Sequence, residues 1–211
     1  MRSALGSPAC GGWPTPARRL AKSRRPRHRL CPLVAVVVIA TGCGVGGKAA
    51  VPSEAANGAV IPSSKRHAVP QLAGQTLTGG RLNVSDWRGS VVVVNFWGSW
   101  CAPCKKEQPD LERLAREGKG QGVRFVGIDV RDSNAAALAH VRRFNVTYPS
   151  LVDTIGHQTL AFGALAPRAT PSTFVLDGRG RVASRFIGAT NFYELRVTVA
   201  QIVAEGGQDT G

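Results

Sequence analysis

Two cysteines with two residues between them, Cys101 and Cys104, stand in the stretch NFWGSWCAPCKKEQPDLERL, residues 95–114. Such a pair can hold a metal, staple a loop or exchange electrons through a reversible disulfide. A structural zinc takes about four ligands, normally two such pairs or one pair with histidines. The other cysteines here are Cys10, Cys31 and Cys43, and the histidines are His28, His67, His140 and His157, none close to the pair in sequence. A staple across so short a loop removes little entropy from the unfolded chain and stabilises weakly. Redox exchange fits the position. Cys101 falls where an apolar run gives way to a helical pattern. The unpaired N–H groups and the positive end of that helix favour its thiolate, the form that attacks a disulfide. Pro103 is tolerated in a first turn, where its missing N–H had no intrahelical partner. Cys104 lies one turn further in, placed to attack the mixed disulfide and release the reduced partner. Cys101 is therefore read as the nucleophile and Cys104 as the resolving thiol, the two forming a disulfide when oxidised.

Other residues fit around the pair. Glu107 is one helical turn past Cys104 and four residues before Leu111, so it shares the apolar stripe. A partly buried carboxyl there has a raised pKa and can relay a proton to Cys104. Of the two tryptophans flanking the loop, Trp97 reads as core and Trp100 as an exposed contact beside Cys101. In RATPSTF, a proline directly before a buried strand needs a reason. A cis bond before Pro171 would turn the chain and present the Thr170 backbone to an extended partner segment. Trp100, Ala102, Pro103, Thr170 and Pro171 make up the expected substrate contact. No cofactor and no metal enter the reading.

The elements that must position these residues follow from periodicity. Short alternating pieces broken by glycine in QTLTGGRLNVSDWRGS, residues 75–90, predict a hairpin. Val91 to Phe96 is a near-continuous apolar strand, of the kind buried on both faces. Cys104 to Gly118 is helical, with Leu111, Leu114 and Ala115 inward and Lys105, Lys106, Glu112, Arg113 and Arg116 toward water. A strand at 123–130 precedes a helix at 133–144, with Leu138 and Val141 inward and His140 at the surface or boundary. TYPSLVD leads to a short helix near Thr159 to Phe162. Thr173 to Leu176, an Asp-Gly turn and Val182 to Phe186 make a second hairpin. A last helix runs from about Asn191 to Glu205, with Leu195, Val199 and Ile202 on one face. The sum is one α/β domain with a mixed sheet covered on both sides.

The net charge of +14 invites a nucleic-acid reading, but its distribution argues against one. Eight of the 27 Lys and Arg residues lie in residues 1–42, which hold no acid, leaving +6 for the rest. The body has no basic stripe with interleaved aromatics. The basic front, a short apolar run from Leu33 to Ala40 and small residues have the layout of an export signal. Its end, IATGC, resembles the lipobox of bacterial lipoproteins, in which the cysteine after the cut, here Cys43, carries lipid. Ala40 stands where leucine is usual. The expected division is a signal over 1–42, a flexible tether over 43–70 and one domain over 71–207. An uncleaved N-terminal anchor is the alternative. Either way the domain sits at the outer face of the cell membrane.

On VVVVNFWGSWCAPCKKEQPDL, GIDVRDSNAAALAHVRRFNV and ATPSTFVLDGRGRV, the chain resembles the thioredoxin superfamily. Within it, the likeness is to the membrane-anchored thiol-disulfide oxidoreductases of the TlpA, ResA and CcmG (DsbE) group. The resemblance extends over about Leu72 to Glu205. It implies a thioredoxin-like fold with an N-terminal β-hairpin and a central strand-helix insertion, a cis bond at Pro171, and Glu107 at the position of a helix glutamate of ResA-like proteins. It also implies a disulfide reductase acting on cysteine-containing proteins, apocytochrome c among them, with electrons from a CcdA-like membrane protein. Two departures stand out. Asn95 replaces the aspartate usual in cytoplasmic thioredoxins, which leaves proton handling to Glu107. Ala102 removes a charge common between the thiols of the ResA-like proteins. The rival activities are a DsbE-like oxidase for exported proteins and a peroxiredoxin-like peroxidase, although GSWCAPC lacks the PxxxTxxC pattern of the latter.

Overall fold

The computed structural model describes residues 57–207 apart from residues 70 and 161. The expected signal, Cys43 and residues 43–56 of the expected tether lie outside the described residues, as do Cys10 and Cys31. A small hairpin, β1 (Ala73–Gln75) and β2 (Arg81–Asn83), comes first. Then follow β3 (Val91–Trp97), α1 (Ala102–Gly118), β4 (Val123–Val130), α2 (Asn134–Phe144), β5 (Ser150–Asp153), α3 (His157–Leu160), β6 (Ser172–Leu176), β7 (Val182–Ile187) and α4 (Phe192–Gly206). Five strands form one sheet in the order β5-β4-β3-β6-β7. β3, β4 and β5 run parallel, and β6 and β7 fold back antiparallel. Among the described residues no helix is long and apolar enough to cross a membrane.

β3 is the centre of this sheet, and all seven of its residues are buried, as an apolar run between two neighbours and two layers must be. Its side chains alternate between faces. Val92, Val94 and Phe96 join Val126, Ile128, Phe162 and Phe174 in one core cluster, with the rings of Phe96, Phe162 and Phe174 in mutual contact. The hairpin and the short segments around α3 cover this face. Asn95 and Trp97 point the other way, toward α1 and α2. α4 lies beside α1, where Phe192 N–H donates to Asp110 and the Arg113 guanidinium sits 3.9 Å above the Phe192 ring. Ser133 and Asn191 cap α2 and α4, each accepting a backbone N–H from the first turn.

Four expectations need correction. β5 was expected only as a lead-in to a helix; it is a parallel edge strand beside β4. Glu112 was placed on the wet face of α1, yet it is buried, because it accepts hydrogen bonds from Arg116 and from the Thr147 N–H. His140 was placed at the surface or boundary. It is buried between Trp97 and Phe144, with ring centroids 4.5 and 4.6 Å away. Residues 57–69 were assigned to the tether, but they run along the outer edge of β7. Gly58 and Ile61 donate to Arg185 and Ala183, and Val182 donates to His67. An uncovered edge strand offers unpaired backbone groups to other chains, and this segment satisfies them. At the opposite edge, Leu77 N–H donates to Ser150.

Arg66 fastens that segment. Its side chain is buried, bonds the Ile61 carbonyl at 2.8 Å and pairs with Asp177 and Glu205. Removing one partner from a buried ion network costs more than removing an exposed pair. Arg66→Ala is expected to lower stability by about 2–3 kcal/mol, somewhat softened because Asp177 keeps Arg181 at 2.8 Å. Urea unfolding of the two proteins measures this; a loss below about 0.5 kcal/mol would mean that the segment adds nothing to the fold.

Candidate active site

The end of β3 delivers the site. Gly98 in the turn and Gly127 in β4 leave room for the two indoles by lacking a side chain. A Cβ on Gly98 would meet the Trp100 indole nitrogen at 2.5 Å, and one on Gly127 would meet the Trp97 indole nitrogen at 2.6 Å. These gaps let Trp97 donate to Ser150 Oγ at 3.3 Å and Trp100 donate to the Val130 carbonyl at 3.2 Å. Trp97 is core and Trp100 is 53 % exposed. The Ser99 N–H between them donates to Asp132 Oδ2 at 2.5 Å.

Cys101 is the residue that caps α1. Its Sγ accepts the Cys104 N–H at 3.2 Å. The two sulfurs are joined in a disulfide, with Cα atoms 5.3 Å apart. Across from them the Thr170–Pro171 bond is cis, and the Thr170 carbonyl oxygen lies 3.6 Å from Cys101 Sγ. Cys101 is 3 % exposed and Cys104 2 %, so the nucleophile presents less area than a reachable sulfur suggests. It nevertheless sits at the rim. Trp100, Ala102 and Pro103 around it are exposed and Thr170 is half-buried. Once reduced, Cys101 faces two opposed influences: the helix N–H favours its thiolate, and the Thr170 carbonyl favours the protonated thiol.

Glu107 is 2 % exposed on the buried face of α1, one turn past Cys104. Oε1 accepts Asn95 Nδ2 at 2.9 Å and Oε2 accepts the Thr190 N–H at 2.9 Å. Burial pushes its pKa up to about 7, helped slightly by the Asp110 charge and opposed by the two donors. It is a carboxyl that titrates near neutrality, three residues along α1 from Cys104. Asn95 itself was read only as a missing acid. It bridges Glu107 and Thr173 Oγ1, the latter at 3.0 Å, so the position of the absent aspartate serves to hold the glutamate.

A second acidic group escaped the sequence reading. Asp129 pairs in register with Trp97, is buried, and leaves Oδ1 without a hydrogen-bond partner among the described residues. Burial and the adjoining Asp132 charge raise its pKa to about 7. A lone carboxylate in the otherwise apolar run VRFVGIDV was the available signal. Burial also lowers the pKa of His140 to about 4, with Lys105 adding to the effect; its ring is neutral and acts as packing against Trp97. Among the described residues, no group of three or more His, Cys, Asp or Glu side chains could hold a metal ion.

Residues 66–185 match the model of the AhpC/TSA family. The chain belongs to that family. It is 34 % identical over 119 residues to the thiol-disulfide oxidoreductase ResA of Bacillus subtilis (strain 168), a match covering 56 % of this chain and 65 % of that protein. The chain thus spans just under two thirds of that relative's length. Among solved structures it is similar to a DsbF homologue from Corynebacterium diphtheriae, at 30 % identity and a TM-score of 0.64 over 68 % of this chain and 91 % of the other. A secreted thiol-disulfide isomerase from Corynebacterium glutamicum matches at 30 % identity and a TM-score of 0.66, over 69 % and 91 %. With its bonded Cys-x-x-Cys pair, the described domain is a thioredoxin-like thiol-disulfide oxidoreductase domain.

Glu107→Gln tests the proton relay and its cost together. The wild-type rate of mixed-disulfide resolution should rise with pH through about 7, as the ionised carboxylate takes the Cys104 proton. The variant should lose that titration and fall about a hundredfold at pH 8. Stability should move the opposite way. A carboxyl whose folded pKa is raised from 4.5 to about 7 loses stability as pH climbs through that window, by about 3 kcal/mol when fully ionised. The wild-type decline between pH 4.5 and 8 should therefore be shallower in the oxidised variant, with the part due to Asp129 retained, as read by urea unfolding at several pH values.

Proposed function

We propose that the domain acts outside the cytoplasm as a protein disulfide reductase. The observation that carries the reading is the Cys101–Cys104 pair capping α1 with Glu107 buried one turn further along. In the reductive cycle the Cys101 thiolate attacks a client disulfide, forming a mixed disulfide and expelling one client thiolate. Cys104 gives its proton to Glu107 and attacks Cys101 Sγ. The client leaves with both sulfurs reduced, and the domain keeps the disulfide until a dithiol donor returns two electrons.

Location and partners extend the same reading. Export through the N-terminal signal, with lipid on Cys43 or an uncleaved anchor, would hold the domain at the outer membrane face, where disulfides form and persist. The C. glutamicum relative is itself described as secreted. Clients are cysteine-containing proteins, with apocytochrome c the proposed case, and a CcdA-like membrane protein is the proposed donor.

Two measurements test this. Cys104→Ser, expressed in cells, should retain clients as mixed disulfides that dithiothreitol releases, and Cys101→Ser should retain none. The reduction potential should lie near the value of about −270 mV typical of thioredoxin. A value near about −120 mV, that of a strong oxidant, would reverse the direction and make the domain an oxidase of exported proteins.

A further inference from the structure

A groove of about 500 Å³ opens beside the disulfide and is not used by the exchange chemistry. Trp100 and Thr170 form its near end, and Thr170 is the residue whose carbonyl lies 3.6 Å from Cys101 Sγ. The groove therefore begins at the reactive sulfur. Further along it are Ile155 and Leu160, which are 88 % and 75 % exposed. Together with Trp100 they place three large apolar side chains in water around one depression, more than scattered surface residues would explain.

The charge of the groove is mainly positive. Its charged lining residues are Arg131, Arg168 and Asp153. Asp153 is buried and its carboxylate is consumed at the start of α3, accepting from the Gln158 and Thr159 N–H groups and the Thr159 hydroxyl. Arg131 and Arg168 are exposed, and neither is paired with a carboxylate among the described residues. Arg131 also has a left-handed backbone at φ 49°, a conformation that disfavours a long side chain and is found most often where function holds it. Two arginines without a carboxylate partner among the described residues thus stand with exposed apolar side chains around a groove whose Thr170 end lies next to the sulfur.

We propose that this groove binds the client segment next to the reacting cysteine and selects segments that carry both a bulky apolar residue and an acidic residue there. The inference rests on the oxidoreductase reading and adds a substrate class to it. The apolar side chain fills the floor between Trp100, Ile155 and Leu160. The client carboxylate pairs with Arg131 or Arg168 and steers the encounter.

The test uses the full-length protein with dithiothreitol as electron donor and fluorescent peptide disulfides that are identical except for Glu or Lys two residues from the cysteine. The wild type should favour the Glu peptide by about tenfold in kcat/KM at low salt, the size expected of two exposed ion pairs, and the preference should shrink as salt is added. The ratio of Glu to Lys peptide should fall to about one in Arg168→Glu and invert in the Arg131→Glu/Arg168→Glu double variant. Ile155→Ser/Leu160→Ser should weaken both peptides and keep the charge preference. A ratio unaltered by either arginine change would overturn the groove. So would a wild type that shows no peptide preference while binding anionic phosphatidylglycerol vesicles through the same arginines, which would make the patch a membrane contact. Turnover of the neutral hydroxyethyl disulfide by the wild type separates the two levels: if it is reduced and no peptide preference is seen, the groove alone fails, and if it is not reduced, the oxidoreductase reading fails with it.

Discussion

The hydrogen bond from the Cys104 N–H to Cys101 Sγ is where fold and chemistry meet. A helix start leaves its first N–H groups without intrahelical partners, and a Ser, Thr, Asp or Asn side chain usually accepts one of them. Here a sulfur does so. Weak as an acceptor when bonded to Cys104, that sulfur becomes a strong one as a thiolate, because a charged acceptor roughly doubles the bond. The helix start is therefore better capped in the reduced, ionised protein than in the oxidised one. The same interaction lowers the energy of the nucleophile and holds it at the mouth of α1. Everything upstream serves to bring β3 to that point: a fully buried strand, a turn in which Gly98 leaves room for the Trp100 indole, and two indoles hooked onto Ser150 and Val130.

The face of β3 that looks toward α1 carries Asn95 and Trp97, and both break the apolar pattern of the opposite face. Asn95 binds Glu107, and Trp97 stacks on His140. A core built only for stability would put aliphatic side chains at such places, since a buried carboxyl costs free energy whenever it is charged. The opposite face does so: Val92, Val94 and Phe96 pack into a cluster of aliphatic and aromatic side chains. The sheet thus separates a stabilising layer from a chemical layer, and the stability lost at Glu107 is offset by packing one strand-thickness away.

What was legible in the sequence was whatever depends on local pattern. The apolar run of β3, the periodicity of α1 and α4, the hairpin turn between β6 and β7 and the dithiol at a helix start all declare themselves within about a dozen residues. The cis bond before Pro171 came through the resemblance, since the residues alone left a trans edge proline open, and the buried place of Glu107 came through its spacing on the apolar stripe. The misreadings share a different cause. His140 and Glu112 look like surface residues until Trp97, Phe144, Arg116 and Thr147 arrive from elsewhere in the chain. Residues 57–69 have a linker's composition, and they pack because β7 has an edge to cover. β5 is four residues long, too short to show a period. Asn95 was legible as a substitution but not as a partner, since its role exists only where β3 meets α1.

Two carboxyls with pKa values near 7 belong to this chemical layer, and their surroundings decide which can handle a proton. When Glu107 ionises, each oxygen already has a donor, Asn95 on one side and Thr190 on the other. The charge can therefore form and disappear without moving the backbone, which a relay requires on every turnover. When Asp129 ionises, its new charge appears beside Asp132, and Oδ1 has no donor to meet it among the described residues. Repulsion between the two would bear on the Asp132–Ser99 hydrogen bond and so on the loop that carries Cys101. The sheet register sets Trp97 opposite Asp129, so that acid is built into the support of the reactive loop, while Glu107, the proposed proton acceptor, stands one helical turn from Cys104.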